Sequence, residues 1–413
     1  MKTQPDDAAK VAAVRAALPA TSAGIYLNTG SCGPLPAETA AAMAQLADWE
    51  LRLGRASPET HDDVLQRMEE ARASIAAIIA ADTRDLALTH AASEGMNVAA
   101  WGIDWRPGDR AVTARSFEHG GGLGGLYAIR DRMGVELDMV DIGRGAEHDQ
   151  VLAAFDAAIR PGTRLVSVSH VSFATGAVLP IAEIAAMAHD RGALLAVDGA
   201  QAVGAIPVDV GALGVDLYAI PGQKWLLGPE GTGALYVAPA ALDRLRLTYA
   251  SAWSFEEQDL VGRARLWPTA RRFEGISGIN HSLIVGLARS CGWLSMYVGV
   301  GWALGRVAAL AGQTARALAA TPGVTLITPP GAMAGLVTFQ VAGWSAEAIL
   351  AELSARIFVI GRVVEALDAV RLSVAWFNTE EEIERVLRLV AELAAHTPES
   401  MPARRTLLVL DGA

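Results

Sequence analysis

Strand-like and helix-like segments alternate along the first 240 residues, and this alternation limits the possible fold more than any other feature. Short apolar, β-branched runs predict seven strands, most of them separated by helical patterns. Such alternation requires right-handed crossovers and yields a mostly parallel sheet with helices on both faces. The predicted strands span residues 86–89, 110–114, 136–140, 165–171, 193–198, 217–221 and 233–237.

The last two predicted strands are joined by a short Gly/Pro-containing link with no crossover helix, which favours an antiparallel final strand. From about Leu283 the pattern becomes α+β, with a long helix over 283–319, several short strands and a last helix from Glu380 to about His396. The predicted organisation is an N-terminal segment that packs with the smaller domain, a large α/β domain and a smaller C-terminal domain. Their bounds are 1–24, 25–265 and 266–413.

Composition narrows the range of partners. The 413-residue chain is 52% hydrophobic and can bury a sizeable core, while its net charge of −11 and lack of a long basic block argue against nucleic acid or an anionic membrane. The longest uncharged run, 290–305, is short for a membrane span, and the acidic N-terminus lacks the apolar region of a signal peptide. Cys32 and Cys291 have no metal-ligand spacing, so we expect no metal site and a reducing cytoplasm.

Polar residues follow the predicted strand ends, where open α/β sheets bind their ligands. Lys224 is the most informative of these, because a lone buried Lys–Asp pair seldom adds stability, whereas a lysine there can form a Schiff base with a carbonyl group. Asp198 either caps a turn or pairs with a bound cation. A lysine together with an aspartate meets the requirement of pyridoxal phosphate. The polar set comprises Ser93, Glu94, Glu118, His119, residues 169–175, Asp198, Gln201, Gln223 and Lys224.

A competing motif is "GGGLGG" at 120–125, which satisfies G-x-G-x-x-G and is followed by Asp141. Five residues separate the preceding strand from the first glycine, so the turn is not tight. A nicotinamide site would also leave Lys224 and Asp198 unexplained. The alternative is that these glycines let the backbone pass close to a ligand or a partner subunit.

The stretches at 167–210 and 214–237, which end in "LLAVDGAQAVGAIPVDV" and "GQKWLLGPEGTGALYV", resemble the core of the class V aminotransferases, which are fold-type-I pyridoxal phosphate enzymes. That superfamily includes cysteine desulfurases, isopenicillin N epimerase, hercynylcysteine sulfoxide lyase and kynureninase. The resemblance runs from "IYLNTGSCGPLP" (25–36) to "VRLSVAWFNTEEEI" (370–383). It implies a seven-stranded, mostly parallel sheet with an antiparallel edge-type strand, and a homodimer with active sites at the subunit interface.

The resemblance also implies residue roles. Lys224 matches the Schiff-base lysine, Asp198 the partner of the pyridine nitrogen, and His119 the aromatic side chain that stacks on the cofactor ring. Gln201 matches the residue that bonds the phenolic oxygen of the cofactor. Arg371 matches the arginine that clamps the substrate carboxylate, and a bidentate arginine fork suits that task.

For the cofactor phosphate, the resemblance implies a cup formed by Ala92 and Ser93 at a helix N-terminus, together with Gln223. Ser277 matches, at approximate spacing, a threonine that reaches the phosphate from the other subunit. Many relatives carry a serine or threonine three residues before the lysine. Here that position is Pro221, which offers neither a hydroxyl group nor an N–H group.

The N-terminal segment approaches the active site in this family, so Asn28 and Ser31 are predicted to contact the substrate. Cysteine desulfurases carry a nucleophilic cysteine shortly before the clamping arginine, but residues 355–369 contain none. Cys32 is interpreted as a small buried residue and not as a persulfide carrier. An asparagine pair used near the cofactor by many desulfurases is replaced at 172–173.

The predicted reaction is β-elimination at the C–S bond of an S-substituted cysteine, an amino-acid substrate of secondary metabolism. The alternatives are a decarboxylating or oxidative deaminase of S-conjugated cysteine, an epimerase and an aminotransferase, with a cysteine desulfurase less favoured. A non-enzymatic scaffold is disfavoured because Lys224, Asp198 and Arg371 are all present. Trp253 and Trp267 either line a site for a bulky polar substituent or pack at an interface.

Overall fold

The computed structural model describes residues 5–145, 147–275 and 280–404. Helix starts follow familiar capping chemistry: Ser57 caps the helix that begins at Pro58, and Thr379 and Glu382 form a capping box. The helices are α1 Pro5–Ala16, α2 Ala37–Leu53, α3 Pro58–Ile78, α4 Ala92–Trp101, α5 Gly120–Met133, α6 His148–Ala158, α7 Ile181–Asp190, α8 Val210–Leu213, α9 His281–Gly292, α10 Val300–Ala319, α11 Ala346–Ile357 and α12 Glu380–Ala394.

The strands are short, and those of the large sheet are almost fully buried apart from one edge. They are β1 Ile25–Tyr26, β2 Leu86–Thr89, β3 Arg110–Ala114, β4 Glu136–Val140, β5 Thr163–Ser169, β6 Leu194–Asp198, β7 Leu217–Pro221, β8 Gly233–Val237, β9 Phe255–Gln258, β10 Ala264–Leu266, β11 Val324–Leu326, β12 Leu336–Val341, β13 Val359–Ile360, β14 Arg362–Val364 and β15 Ala369–Ser373.

Seven strands form the large sheet in the order β2-β8-β7-β6-β5-β3-β4. Only β8 runs antiparallel to its neighbours, which confirms the predicted direction of the final strand; β8 lies one place in from the edge, between β2 and β7. Helices α4 and α5 cover one face, while α3, α6 and α7 cover the other. The carboxyl ends of six parallel strands therefore share one edge of the sheet.

The smaller sheet has the order β11-β12-β15-β14 and is antiparallel throughout. Its core includes side chains of α10, α11 and α12. Near the N-terminus, β1 pairs with β13, and Asn28 bridges to Ser373 at the end of β15. The start of the chain therefore packs on the part of the molecule formed by its end. The domain bounds at residues 24 and 265 stay a prediction.

The helix predicted over 283–319 is instead two helices. Helix α9 ends at Gly292, a π-helical turn covers Trp293–Val298, and α10 starts at Val300 after a bend of 80°. Gly299 has φ of +82°, a conformation that glycine adopts readily and that stops the helix there. Taken over the residues with described structure, no single helix is long and apolar enough to cross a membrane; only the bent pair passes, on length and composition alone.

Candidate functional site

Asp198 ends β6 at the shared edge of the large sheet and is buried. Its Oδ1 accepts the backbone N–H of Ala200 at 2.9 Å, so it does cap the turn that follows. Its neighbour in register on β5 is Ser169. The carboxylate is therefore held rigidly at the point where three strand ends meet.

Lys224 lies three residues beyond the end of β7. Burial lowers the pKa of its amine, the nearby charge of Asp198 raises it, and Arg371 and Arg362 lower it further. The predicted pairing of Lys224 with Asp198 in one site is thus present. A depressed pKa also leaves more of the amine uncharged, which is the form that acts as a nucleophile or base.

The N-terminal segment packs on the backbone of this lysine. The N–H of Gly33 donates to the carbonyl of Gln223 at 2.7 Å. A Cβ atom at Gly33 would lie 2.3 Å from the carbonyl oxygen of Lys224, so only glycine fits. This close approach brings the polar residues 28–31 to the site.

His119 is the N-cap residue of α5 and lies close to both Lys224 and Asp198. Its Nδ1 accepts the N–H of Gly121 at 3.1 Å, and its ring meets Phe173 edge-on at 5.3 Å between centroids. Burial, followed by the charge of Lys224, lowers the pKa of His119, which keeps the ring neutral. A neutral imidazole ring suits stacking on a flat heteroaromatic ring.

The glycine run 120–125 forms the first turns of α5. A Cβ atom at Gly121 would come within 2.3 Å of Ser93 Oγ, and one at Gly122 within 3.8 Å of Asp198 Oδ2. The glycines therefore let the helix approach the polar groups of the site. This is the close backbone passage that the sequence suggested as the alternative to a dinucleotide motif.

Helix α4 begins at Ala92, which is buried, and Ser93 is exposed in its first turn. The N-cap residue Ala91 supplies no side-chain cap, so the helix N-terminus keeps N–H donors for an anion.

Pro221 pairs with Gly233 in the sheet and offers no donor. Ser277 lies outside the described residues, so its role stays a prediction.

Gln201 and Gln223 differ in how their amide groups are used. Gln201 is buried, donates from Nε2 to the carbonyl of Gly30 at 2.8 Å and accepts the indole N–H of Trp225 at 3.0 Å. In the described part of the chain, Gln223 Oε1 is buried with no donor facing it. Such an amide can turn its NH₂ group toward an anion. The contact of Gln201 with a cofactor stays a prediction.

Arg371 on β15 is almost fully buried. Its Nη1 donates to the carbonyl of Phe173 at 2.8 Å and its Nη2 to Ser31 Oγ at 3.3 Å, while no acceptor faces Nε among the described residues. Burial and the neighbouring Arg362 lower the pKa of Arg371 to about 9. The guanidinium group is therefore still charged at pH 7, in a place where a charge is expensive to hold.

Arg362 is a site residue that sequence reasoning missed. It is the register partner of Arg371 on β14, and its Nη1 donates to the same Ser31 Oγ at 3.2 Å. The Ser31 hydroxyl in turn donates to Asn28 Oδ1 at 2.7 Å. Within the described residues, neither arginine forms an ion pair. A pair of arginines nine residues apart at a hairpin was the signal available in the sequence.

These residues fit pyridoxal phosphate on three counts. A lysine with a depressed pKa lies beside a buried aspartate, as the covalent anchor and the pyridine nitrogen require. The uncapped N-terminus of α4, with Ser93 and Gly121 in contact, can accept a phosphate. The amide of Gln223, whose oxygen has no donor facing it among the described residues, can also bind it.

Comparison with known proteins identifies a family and several similar proteins. The family described as Aminotransferase class-V matches residues 25–386. Isopenicillin N epimerase of Streptomyces clavuligerus is 31% identical over 88% of this chain and 93% of that protein. A probable cysteine desulfurase of Methanothermobacter thermautotrophicus is 35% identical over 54% of this chain, and the match spans only 55% of that protein. The solved complex of the cystine C–S lyase C-DES with cysteine persulfide is similar, with a TM-score of 0.83, 26% identity, and coverage of 91% of this chain and 99% of that one.

Proposed function

This chain belongs to the class-V aminotransferase family of pyridoxal phosphate enzymes, and we propose that it cleaves the C–S bond of an S-substituted cysteine by β-elimination. Bound through Lys224, the cofactor supplies an electron sink for a carbanion at Cα of the substrate. Asp198 holds a proton at the pyridine nitrogen, and His119 covers the ring. Ser93 and Gln223 bind the phosphate.

The arginine pair orients the substrate. Arg371 donates to the α-carboxylate, because in the described chain its Nε has no acceptor and its Nη2 contacts only the Ser31 hydroxyl. The freed amine of Lys224 takes the proton from Cα as general base. The C–S bond then breaks, and sulfur leaves with the electron pair as a thiolate, which takes the proton from the Lys224 ammonium group to become a thiol. Water converts the remaining aminoacrylate to pyruvate and ammonia.

The observation that carries this choice is the state of the cysteines. The sequence contains two, and a desulfurase needs a thiolate to accept the sulfur. Cys32 is half-buried, and not fully buried as interpreted from the sequence, whereas Cys291 is buried. Burial, and then Glu230, raise the pKa of Cys32, and burial raises the pKa of Cys291 to about 12. Both are therefore mostly thiols at pH 7, which favours departure of the sulfur on the substituent over its transfer to the protein.

Arg362 supports a substrate with a second acidic group. It is partly exposed, whereas Arg371 is buried, so it lies on the more open side of the pair. We propose that it binds a carboxylate on the S-substituent. The likeness to a cystine C–S lyase, whose substrate has two carboxylates, agrees with this.

Epimerisation is the second candidate, because the match to isopenicillin N epimerase covers most of both proteins. One experiment separates the two reactions: the holoenzyme is incubated in D₂O with S-carboxymethylcysteine and S-ethylcysteine, and the products are analysed by mass spectrometry. Thiol and pyruvate in equal amounts support elimination. Recovered substrate that is racemised and carries deuterium at Cα supports the epimerase and contradicts the lyase. Carbon dioxide release with oxygen uptake, or formation of the keto acid with sulfur retained, would contradict both and favour the oxidase or the aminotransferase.

We also propose a cytoplasmic homodimer active in secondary metabolism. The unpaired state of both cysteines supports a reducing, cytoplasmic location. The exposed side chains of Leu260 and Val261 at the tip of the β9–β10 hairpin support a subunit interface. Light scattering should give about twice the chain mass of 43.2 kDa. A monomeric mass for the active holoenzyme would contradict the dimer.

A further inference from the structure

Glu118 is a buried acid that the proposed chemistry does not use. It immediately precedes His119 and is 8% exposed. Among the described residues, no lysine or arginine forms an ion pair with Glu118. A buried carboxyl group without a cation requires a structural or functional reason.

The carboxyl group of Glu118 is bonded twice to one residue. Its Oε1 accepts the backbone N–H of Ser169 at 2.9 Å, and its Oε2 lies 2.6 Å from the Ser169 hydroxyl. Ser169 ends β5 and is the register partner of Asp198 on β6. The two bonds therefore tie the loop before α5 to the strand end that carries the pyridine-nitrogen partner.

The loop that Glu118 anchors, residues 115–119, is conformationally strained. Ser116 has φ of +57°, which a residue with a side chain seldom adopts. Phe117 is buried in the core, whereas His119 is only partly enclosed and keeps part of its surface in solvent. The placement of His119 thus depends on Phe117 and on the two bonds of Glu118.

The charge state of Glu118 follows from its surroundings. Burial raises the pKa of this carboxyl group to about 8, the bonds from Ser169 lower it, and the negative charge of Asp198 raises it. The other ionisable groups of the site are His119, which follows Glu118 in the same loop, and Lys224, which lies beside Asp198. At pH 7 the carboxyl group of Glu118 is therefore mostly protonated.

We propose that Glu118 is a positioning residue that acts as an uncharged acid. It holds the His119 loop on β5 without adding a second negative charge beside Asp198. Asp198, which would hold a proton at the pyridine nitrogen, therefore has no second negative charge beside it, and the stacking ring of His119 keeps its place. This inference concerns cofactor binding and does not depend on which reaction follows.

The test compares Glu118→Gln, which is neutral at every pH and keeps an acceptor for the Ser169 N–H, with Glu118→Ala. Cofactor affinity at pH 7 is measured by titrating the apo form and recording visible absorbance. We expect Glu118→Gln to bind within about threefold of wild type, and Glu118→Ala to bind at least about tenfold more weakly. The matched control is Glu183→Gln, which alters an exposed glutamate on α7. It should change neither the cofactor affinity nor the pH dependence of thermal unfolding.

The pH dependence of thermal unfolding of the holoprotein tests whether Glu118 is protonated. A purely structural role of Glu118 would not change this pH dependence. A folded-state pKa of about 8, above the usual range for glutamate, means that the folded state binds one more proton than the unfolded state between about pH 5 and pH 8. The stability of the wild-type protein should therefore fall as the pH rises across this window. The Glu118→Gln variant should lose less stability over the same window.

Three outcomes would overturn the proposal. Glu118→Gln could bind the cofactor as weakly as Glu118→Ala, in which case the ionised form is what matters. Glu118→Ala could bind like wild type, which would remove the positioning role. Wild type and Glu118→Gln could have the same pH dependence of unfolding, which would exclude a protonated Glu118. If Glu118→Ala does not fold, Ser169→Ala replaces it, since it removes only the hydroxyl partner and should weaken binding by about fivefold.

Discussion

At the edge of the large sheet, Lys224 has an anion of the protein itself, Asp198, as its counter-charge. The smaller sheet instead presents Arg362 and Arg371 to each other as register partners, joined only by the hydroxyl of Ser31. One half of the site is electrostatically balanced before any substrate arrives, and the other is not. The balanced half suits a resident cofactor, whereas the unbalanced half suits an acid that comes and goes.

The largest effect should come from the balanced half. Lys224→Ala removes the covalent anchor and the general base, so we expect turnover to fall at least about 1,000-fold. Steady-state kinetics and loss of the yellow colour are the measurements, with Lys10→Ala as the control. A small amine such as methylamine should restore part of the rate. A variant that kept about a tenth of wild-type turnover would remove Lys224 from the chemistry.

In the unbalanced half, Arg371→Ala should lower kcat/KM about 100-fold, mainly by raising KM, because a charge-assisted fork to the α-carboxylate is lost. Arg371→Lys should recover only part of this loss, since an ammonium group cannot form a planar fork. Kinetics of all three proteins on one substrate provide the measurement. Equal KM values in wild type and Arg371→Ala would mean that the carboxylate binds elsewhere.

Arg362 should matter less and more selectively. Arg362→Met is expected to lower kcat/KM about tenfold for S-carboxymethylcysteine and about twofold or less for S-ethylcysteine. The ratio of the two losses isolates the contact with the second acid. Equal losses on both substrates would instead assign Arg362 to the α-carboxylate, together with Arg371.

The smallest effects, on stability, should have opposite signs in the two halves. Arg362→Met removes one of two like charges and should stabilise the cofactor-free protein by at most about 1 kcal/mol, less at high salt. Asp198→Asn leaves Lys224 without its counter-charge and should destabilise by about 1 kcal/mol or more. Urea unfolding at low and high salt measures both. If both variants changed the free energy of unfolding in the same direction, the two halves of the site would not differ in charge balance.

The balanced half could be predicted from sequence because its residues sit at strand ends, and strand ends are marked by apolar runs. Five strands of the large sheet have the predicted bounds, including 217–221 just before Lys224. The strand predicted at 165–171 instead spans Thr163–Ser169. The apolar Val171 suggests that the strand continues. Instead, the N–H of His170 donates to the carbonyl of Asp198, and Val171 forms only an isolated bridge to Val178.

The unbalanced half was harder to predict. Arg362 has no motif of its own, and its meeting with Arg371 depends on the register of a short hairpin. The break at Gly299 was also hidden, because composition does not reveal a positive φ. The hydrogen bonds of Gln201 to Gly30 and Trp225 depend on contacts between distant segments, which a local pattern does not contain.

The Ser31 bridge has a consequence for how the chain becomes functional. It joins residues that are 331 and 340 positions apart, so it closes loops that span most of the chain. Contacts between residues so far apart in the sequence form late in folding. The entropy of closing the long loop is lost before these contacts stabilise the chain. We therefore expect a refolding chain to acquire its cofactor anchor first and its substrate selectivity last.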